Sequence, residues 1–213
     1  MIYDIDIAKQ VAKSLLQINA IILEPNKPFV WAAGWNSPIY CDNRKTLSYP
    51  EIRNYIRQGL SAIVKNHYKG ANVIAGVATA GIPHGALVAE ELGLPFIYVR
   101  VKAKEHGKKN QIEGYFRQGQ SVVLVEDLIS SGKSSLEAAA VLREAGMHVK
   151  GMASIFTYGF DAATENFKAA DCEYISLCDY NTLLPQAIES QYIEETDLAI
   201  LIQWRENPSI WKK

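Results

Sequence analysis

The chain has 213 residues, of which 48% are hydrophobic, enough for one domain with a sizeable core. Its net charge of −1 argues against binding of nucleic acid through overall charge, so any charged site must be local. No run approaches the roughly 20 apolar residues of a membrane span, and acidic residues precede the first apolar stretch, unlike in a signal peptide. Three scattered cysteines do not form a disulfide framework. We therefore expect a cytoplasmic protein that binds neither nucleic acid nor membrane.

The first fifty residues predict a helix followed by a hairpin. Apolar residues recur at helical spacing over residues 4–19. Aromatic and β-branched residues over 29–44 predict the hairpin, with its turn near Trp35–Pro38. Residues 50–67 predict a second helix, which Pro50 can begin because a first helical position needs no N–H donor.

From residue 72 onward, short apolar strands alternate with helices. Strands are predicted over residues 72–79, 95–101, 121–127, 148–158 and 172–177. Helices are predicted over residues 80–93, 133–146 and 161–170, and the tail from about residue 180 is expected to be helical. Near-continuous apolar strands separated by helices indicate an α/β fold with a central, mostly parallel sheet flanked by helices.

The stretch SVVLVEDLISSGKSS, residues 121–135, ends like an ATP-binding P-loop but lacks its spacing. A P-loop needs a glycine five residues before Gly132, and that position holds Asp127. A carboxylate there would stand where the backbone must approach phosphate. The spacing therefore excludes a P-loop.

The same stretch suits a sugar phosphate. Glu126 and Asp127 come at the carboxyl end of a predicted parallel strand, where ligands bind in open sheets. Ser130, Ser131 and Gly132 form a predicted turn before a helix whose N-terminus can hold a phosphate. The carboxylates would repel that phosphate, so they suit the hydroxyls of a sugar. The alternative, a strand and a capped helix with solvated acids, stays open on the residues alone.

A second candidate segment is basic. Residues 100–117 contain six lysines and arginines against Glu105 and Glu113, a charge of +4 in a chain whose total is −1. Cations in such a segment would stabilise an anionic leaving group, and a closing lid would exclude water. The alternative is a solvated surface loop, the more common explanation of a charge run.

The segment VVLVEDLISSGKSS resembles the phosphoribosyl pyrophosphate (PRPP) motif of the type I phosphoribosyltransferases. The resemblance implies that fold over one domain, 1–213. Residues 1–48 would carry the N-terminal helix and a small base-covering hairpin, or hood, and residues 49–213 the core, with a mobile lid at about 100–117. It also implies that Glu126 and Asp127 hold the ribose hydroxyls of PRPP. The neighbouring PRPP-binding residues would be Leu128, Ile129, Ser130, Ser131, Gly132, Lys133 and Ser134.

Three further segments resemble the orotate phosphoribosyltransferases within that family. WAAGWNSPIYCDNR is similar to their hairpin, GVATAGIPHGALVAEELGLP to their pyrophosphate loop and helix, and YVRVKAKEHGKKNQIEG to their mobile catalytic loop. The resemblance implies transfer of ribose 5-phosphate from PRPP to orotate, which gives orotidine 5′-phosphate and pyrophosphate in de novo pyrimidine (UMP) biosynthesis. It implies magnesium carried with PRPP, with no metal ligand assigned to the protein itself.

The resemblance also assigns roles to single residues. Lys104, His106 and Asp127 would be catalytic. The lid residues would act in the partner subunit's site, which implies a homodimer. Ser130, Tyr40 and Arg44 would contact orotate, with the alternative that Arg44 only braces the hairpin against Asp42. The remaining PRPP contacts would come from Thr79, Ala80, Arg100 and Lys102, together with Lys104 and His106.

The chain departs from some family members at positions that would contact substrates. Some have lysine where this chain has Ala32 and Ala80, and some have an arginine after the strand that here ends at Thr157 and Tyr158. In some the lid arginine is followed directly by lysine, whereas here Val101 intervenes. Two other functions remain: a phosphoribosyltransferase for another base, and a non-catalytic PRPP-sensing regulator. The regulator would need a basic DNA-binding element, and the first twenty residues contain two lysines against two aspartates.

Overall fold

The computed structural model describes residues 1–31, 34–100 and 111–212. Its α-helices are α1 (Ile5–Gln17), α2 (Pro50–His67), α3 (Gly81–Leu92), α4 (Lys133–Glu144), α5 (Asp161–Ala169), α6 (Tyr180–Glu189) and α7 (Leu198–Glu206). Its strands are β1 (Ile21–Leu23), β2 (Phe29–Val30), β3 (Asn36–Ser37), β4 (Ile39–Cys41), β5 (Val73–Val77), β6 (Phe96–Val99), β7 (Ile112–Glu113), β8 (Ser121–Ile129), β9 (His148–Thr157) and β10 (Tyr174–Asp179). Short 3-10 segments cover Asn43–Ser48 and Glu195–Asp197.

Six strands form the central sheet in the order β10-β9-β8-β5-β6-β7. All neighbouring pairs are parallel except β6 with β7, which is antiparallel. The predicted mostly parallel sheet is therefore confirmed. The short edge strand β7 was not predicted, because two residues in a polar stretch carry no strand periodicity.

Successive residues of β8 face opposite sides of the sheet, and each side has its own hydrophobic core. Val123 and Val125 pack into the core that includes α1, α2 and α6. Val122 and Leu124 pack into the core that includes α4 and α5. Both faces are thus covered, which explains why the strand is a continuous apolar run.

The N-terminal strands form two small antiparallel pairs, which together we call the hood. In one pair β2 joins β3, and in the other β1 joins β4. The predicted hairpin is present, but its predicted turn at Trp35–Pro38 is wrong. The chain reverses between Trp31 and Trp35, where Gly34 has a φ of +80°, so the turn falls where glycine permits that conformation.

The tail is helical as predicted, and its last helix packs under the hood. Trp204 of α7 is fully buried and lies among four aromatic rings, with centroid distances of 5.5–5.7 Å. These rings belong to Trp31, Tyr158, Phe160 and Tyr180. Trp31 is a hood residue, so the cluster connects the hood, the end of β9 and the C-terminal helix.

In the described part of the chain, no helix has the length and apolar character needed to cross a membrane.

Candidate active site

The two predicted acids lie near the carboxyl end of β8, which runs two residues further than predicted. Pairing with β9 continues to Ile129, so Glu126 and Asp127 are strand residues. Glu126 is 5% exposed, and its Oε2 accepts a hydrogen bond from the Ser135 hydroxyl at 2.9 Å. Its Oε1 accepts from the Asp127 N–H at 3.1 Å. These bonds tie Glu126 to α4.

Burial decides the charge of this pair. Loss of solvent and the neighbouring charge of Asp127 raise the pKa of Glu126 to about 8. Burial also raises the pKa of Asp127. Two adjacent carboxyls, one buried and one half-buried, do not both ionise readily, so near neutral pH Glu126 holds the proton. Asp127 is then the carboxylate of the pair that can accept hydrogen bonds from sugar hydroxyls.

The turn after β8 leads directly into α4. Gly132 precedes the helix with a φ of +76°, and no side chain caps the first turn. The N–H groups at that end are therefore suited to an anion. Asn166 donates to the Ser131 carbonyl at 2.9 Å and steadies the turn from α5. A cavity of about 450 Å³ lies here, lined by residues that include Ser130, Ser131, Gly132, Lys133 and Ser134.

A polar cavity of about 300 Å³, which we call the acidic cavity, lies beside Asp127. It is bounded by the end of β8, the base of the hood and the loop between β5 and α3. The structure thus brings five predicted PRPP-binding residues, Thr79, Ala80, Glu126, Asp127 and Ser134, together with Arg44, a predicted orotate contact. The peptide bond between Ala78 and Thr79 is cis.

Glycine is required where α3 begins. A Cβ on Gly81 would collide with the carbonyl oxygen of Val125 in β8. The loop that carries Thr79 and Ala80 therefore approaches β8 closely, just before Glu126. This contact fixes one wall of the acidic cavity relative to the acids.

The two predicted base contacts in the hood have different surroundings. Tyr40 is 39% exposed and packs on Phe29, with ring centroids 5.6 Å apart. Arg44 donates to both carboxylate oxygens of Asp42, at 2.6 and 2.9 Å. Hydrogen bonding to Arg44 lowers the pKa of Asp42, so this ion pair persists over a wide pH range.

A second cavity, which we call the aromatic cavity, has a volume of about 480 Å³. Trp31 and Trp35 of the hood line one part of it, and Ser130 and Ser131 line another. Arg205, at the end of α7, lines it as well. Planar aromatic walls next to the phosphate-side turn suit a flat heterocycle.

The predicted lid, residues 100–117, lies partly within the described residues. Arg100 follows β6, and its Nε lies 3.6 Å from a carboxylate oxygen of Glu113 in β7. The predicted functional residues Lys102, Lys104 and His106 lie outside the described residues. Among the described residues, no group of three or more His, Cys, Asp or Glu side chains forms a metal-binding cluster.

Comparison with known proteins identifies the family. Residues 48–180 match the family model of the phosphoribosyl transferase domain. The chain is 53% identical to an orotate phosphoribosyltransferase from Cytophaga hutchinsonii over 205 residues, 96% of this chain and 98% of that protein. It is 55% identical to one from Bacillus subtilis over 203 residues, 95% of this chain and 94% of that protein. The chain belongs to the orotate phosphoribosyltransferase family.

Solved structures show the same fold. An orotate phosphoribosyltransferase from Aeropyrum pernix superposes with a TM-score of 0.75 at 27% identity, covering 86% of this chain and 99% of that one. One from Mycobacterium tuberculosis, in complex with PRPP, has a TM-score of 0.66 at 20% identity, covering 83% and 98%. The UMP synthase of Leishmania donovani has a TM-score of 0.78 at 27% identity, and this chain covers 42% of its length. The type I phosphoribosyltransferase fold predicted from the sequence is confirmed.

Sequence reasoning missed two polar residues of this orotate phosphoribosyltransferase family member. Ser135 was read as part of a helix, although its hydroxyl holds Glu126. Arg205 falls within the predicted helical tail, although it lines the aromatic cavity. It also donates a hydrogen bond to the carbonyl of Gly159, which lies 46 residues earlier in the chain. Neither Ser135 nor Arg205 belongs to a sequence motif that would indicate its role. The serine could have been found by asking which α4 side chain faces the buried acid.

Proposed function

We propose that the protein transfers ribose 5-phosphate from PRPP to orotate, yielding orotidine 5′-phosphate and pyrophosphate, in the synthesis of UMP. The observation that carries the proposal is the placement of a carboxyl pair, buried Glu126 and half-buried Asp127, beside an uncapped helix N-terminus. This pairing suits the hydroxyls and the phosphate of one phosphosugar. The family relationship supports orotate as the base.

The parts of PRPP are assigned to different walls. Asp127 accepts from the ribose hydroxyls, and the turn from Leu128 to Ser134 holds the 5-phosphate. Thr79 and Ala80, which line the acidic cavity, are assigned to the pyrophosphate. Arg100, Lys102, Lys104 and His106 supply positive charge to the leaving pyrophosphate, because negative charge grows there as the bond to the anomeric carbon breaks.

Orotate is assigned to the hood side of the sugar. The base nitrogen gives up its proton to solvent and forms the new bond to the anomeric carbon, as pyrophosphate departs with the bonding electrons. Ser130 joins the phosphate turn to the aromatic cavity, which supports its predicted contact with the base. Tyr40 and Arg44 remain proposed base contacts from the hood.

Magnesium fits the chemistry of the acidic cavity. Asp127 offers carboxylate oxygens, and phosphates and hydroxyls of PRPP would complete an oxygen ligand set. When bound, the ion would neutralise charge on the pyrophosphate.

We also assign the protein to the cytoplasm as a homodimer whose lid residues act in the partner's site. The three cysteines Cys41, Cys172 and Cys178 are free thiols, which supports a reducing compartment.

The base is tested by comparing orotate, uracil and adenine as acceptors in the presence of PRPP and magnesium. Product formation is followed by ultraviolet absorbance and chromatography. We expect nucleotide formation with orotate at a far higher kcat/KM than with uracil or adenine. A preference for adenine would support the rival transferase for another base, and PRPP binding without turnover of any base would support a regulator.

A further inference from the structure

The substrate assigned above carries a carboxylate on its ring, and a carboxylate is recognised best by an unoccupied guanidinium. This inference rests on the proposed function. Arg44 is poorly placed for the task, because both of its observed side-chain bonds go to the carboxylate of Asp42 at 2.6 and 2.9 Å. Asp42 already neutralises the charge of Arg44, so Arg44 attracts a second carboxylate less than a guanidinium without an ion pair does.

Arg205 offers a different guanidinium. It is half-buried, and it donates from Nε to the Tyr158 carbonyl at 3.3 Å and from Nη2 to the Gly159 carbonyl at 2.7 Å. These bonds use two of its five N–H donors. Within residues 1–31, 34–100 and 111–212, no ion pair involves Arg205. Its charge is therefore available to an anionic ligand.

The fold holds Arg205 firmly at the aromatic cavity. Its neighbour Trp204 is fully buried among the rings of Trp31, Tyr158 and other aromatic residues. The two carbonyl bonds add a second anchor at the end of β9. A guanidinium fixed in this way loses little conformational freedom when it pairs with a carboxylate.

The aromatic cavity lies at the hood, the side of the phosphosugar site to which orotate is assigned above. Ser130 and Ser131 line both this cavity and the one at the turn after β8, so the same loop borders both cavities. Trp31 and Trp35 provide aromatic surface for a planar ring. Two acids, Asp161 and Glu206, also line the cavity, but both are exposed, so solvent screens their charges more than that of Arg205.

We propose that Arg205 binds the ring carboxylate of orotate and sets the preference for orotate over a base that lacks this group. A residue of the C-terminal helix thus determines specificity in a site whose other walls include the hood, the turn after β8 and the segment between β9 and α5. Arg205 is a binding residue here and takes no part in proton transfer.

The test compares two nucleotides that differ only in that carboxylate, orotidine 5′-phosphate and UMP. Their dissociation constants are measured by calorimetry for the wild-type protein and for Arg205→Gln, Arg205→Lys and Arg143→Gln. Arg143 is a matched control, because it also donates to two backbone carbonyls, those of Ala170 and Asp171, both at 2.6 Å. It does not line the aromatic cavity.

We expect Arg205→Gln to weaken binding of orotidine 5′-phosphate by about 10- to 100-fold, the scale of a charged hydrogen bond, while UMP affinity stays unchanged. Arg205→Lys should retain part of the preference, because it keeps the charge and loses the fork geometry. Arg143→Gln should leave the ratio of the two affinities as in the wild type.

Two results would overturn the proposal: an equal loss for both nucleotides in Arg205→Gln, which indicates a structural role only, or no loss for either. Equal affinities of the wild-type protein for the two nucleotides would overturn it as well. Turnover of orotate by the wild-type protein is measured separately. An absence of turnover would remove the proposed function, whereas an unchanged affinity ratio alongside normal turnover would remove only the role of Arg205.

Discussion

At the scale of single residues, the acid pair shows how burial divides two similar groups into different roles. Glu126 is buried against Ser135, and burial raises its pKa to about 8. Asp127 lines the acidic cavity and is the carboxylate available to a sugar. The sequence motif predicted both acids as ribose ligands. The structure adds that Glu126 also connects β8 to α4.

The raised pKa of Glu126 predicts a pH-dependent stability. The unfolded chain ionises this group near 4.5, whereas the folded chain keeps the proton until about pH 8. The folded state therefore binds more protons between these values, and its stability falls as pH rises, by up to about 1.4 kcal/mol per pH unit from this group. Glu126→Gln should lack this decline, because the amide is neutral at every pH.

Denaturant unfolding of the wild-type protein and of Glu126→Gln across pH 5–8.5 measures the difference. The variant should gain stability relative to the wild type as pH rises. Glu165→Gln changes an exposed residue of α5, so its free energy of unfolding should follow the same pH dependence as that of the wild type. A constant difference between Glu126→Gln and the wild type over this range would show that Glu126 is ionised when buried.

At the scale of elements, the site depends on two local arrangements: the turn from β8 into α4, and the packing of α7 against the hood. The turn between β8 and α4 needs a positive φ at Gly132, and α7 supports the hood through aromatic packing. Each contact joins an element of the site to one distant in the sequence. Changes at these contacts should therefore affect both stability and substrate binding.

Gly132→Ala should destabilise the protein more than Gly119→Ala. Both glycines have a positive φ, +76° and +82°, so both substitutions carry the backbone cost of about 1–2 kcal/mol. A Cβ on Gly132 would also collide with the Phe167 ring, whereas one on Gly119 meets no atom within 4 Å. We expect an extra loss of about 1–3 kcal/mol at Gly132, measured by denaturant unfolding, and weaker PRPP binding. Equal losses at the two sites would contradict the packing of the turn on α5.

Trp204→Ala should remove the support of the hood. The side chain is fully buried in the aromatic cluster, so its loss should lower the free energy of unfolding by about 3–5 kcal/mol. Ile202→Ala is the control on the same helix. Ile202 is 45% exposed, and its substitution should cost no more than about 0.5 kcal/mol. Thermal or denaturant unfolding measures the loss of stability in each variant. Similar losses for both variants would mean that α7 packs differently.

At the scale of the whole molecule, the central sheet could be predicted well, because strands buried on both faces are continuous apolar runs. The strand order places the carboxyl ends of β5 and β8 side by side, and the two loops of the acidic cavity follow from that. The turn of the hood predicted at Trp35–Pro38 was wrong, because the strands on either side of Pro38 do not pair with each other. β3 pairs back with β2, and β4 pairs with β1. Arg205 could not be predicted, because only tertiary packing brings α7 to the end of β9.

The most direct test of the account is a stoichiometric assay of the complete reaction. Purified protein is incubated with orotate, PRPP and magnesium, and orotate, orotidine 5′-phosphate and pyrophosphate are measured together. We predict that orotate loss depends on PRPP and equals the formation of both products. Hydrolysis of PRPP without loss of orotate, or binding of PRPP without any product, would contradict the assignment of orotate to the hood side of the phosphosugar site.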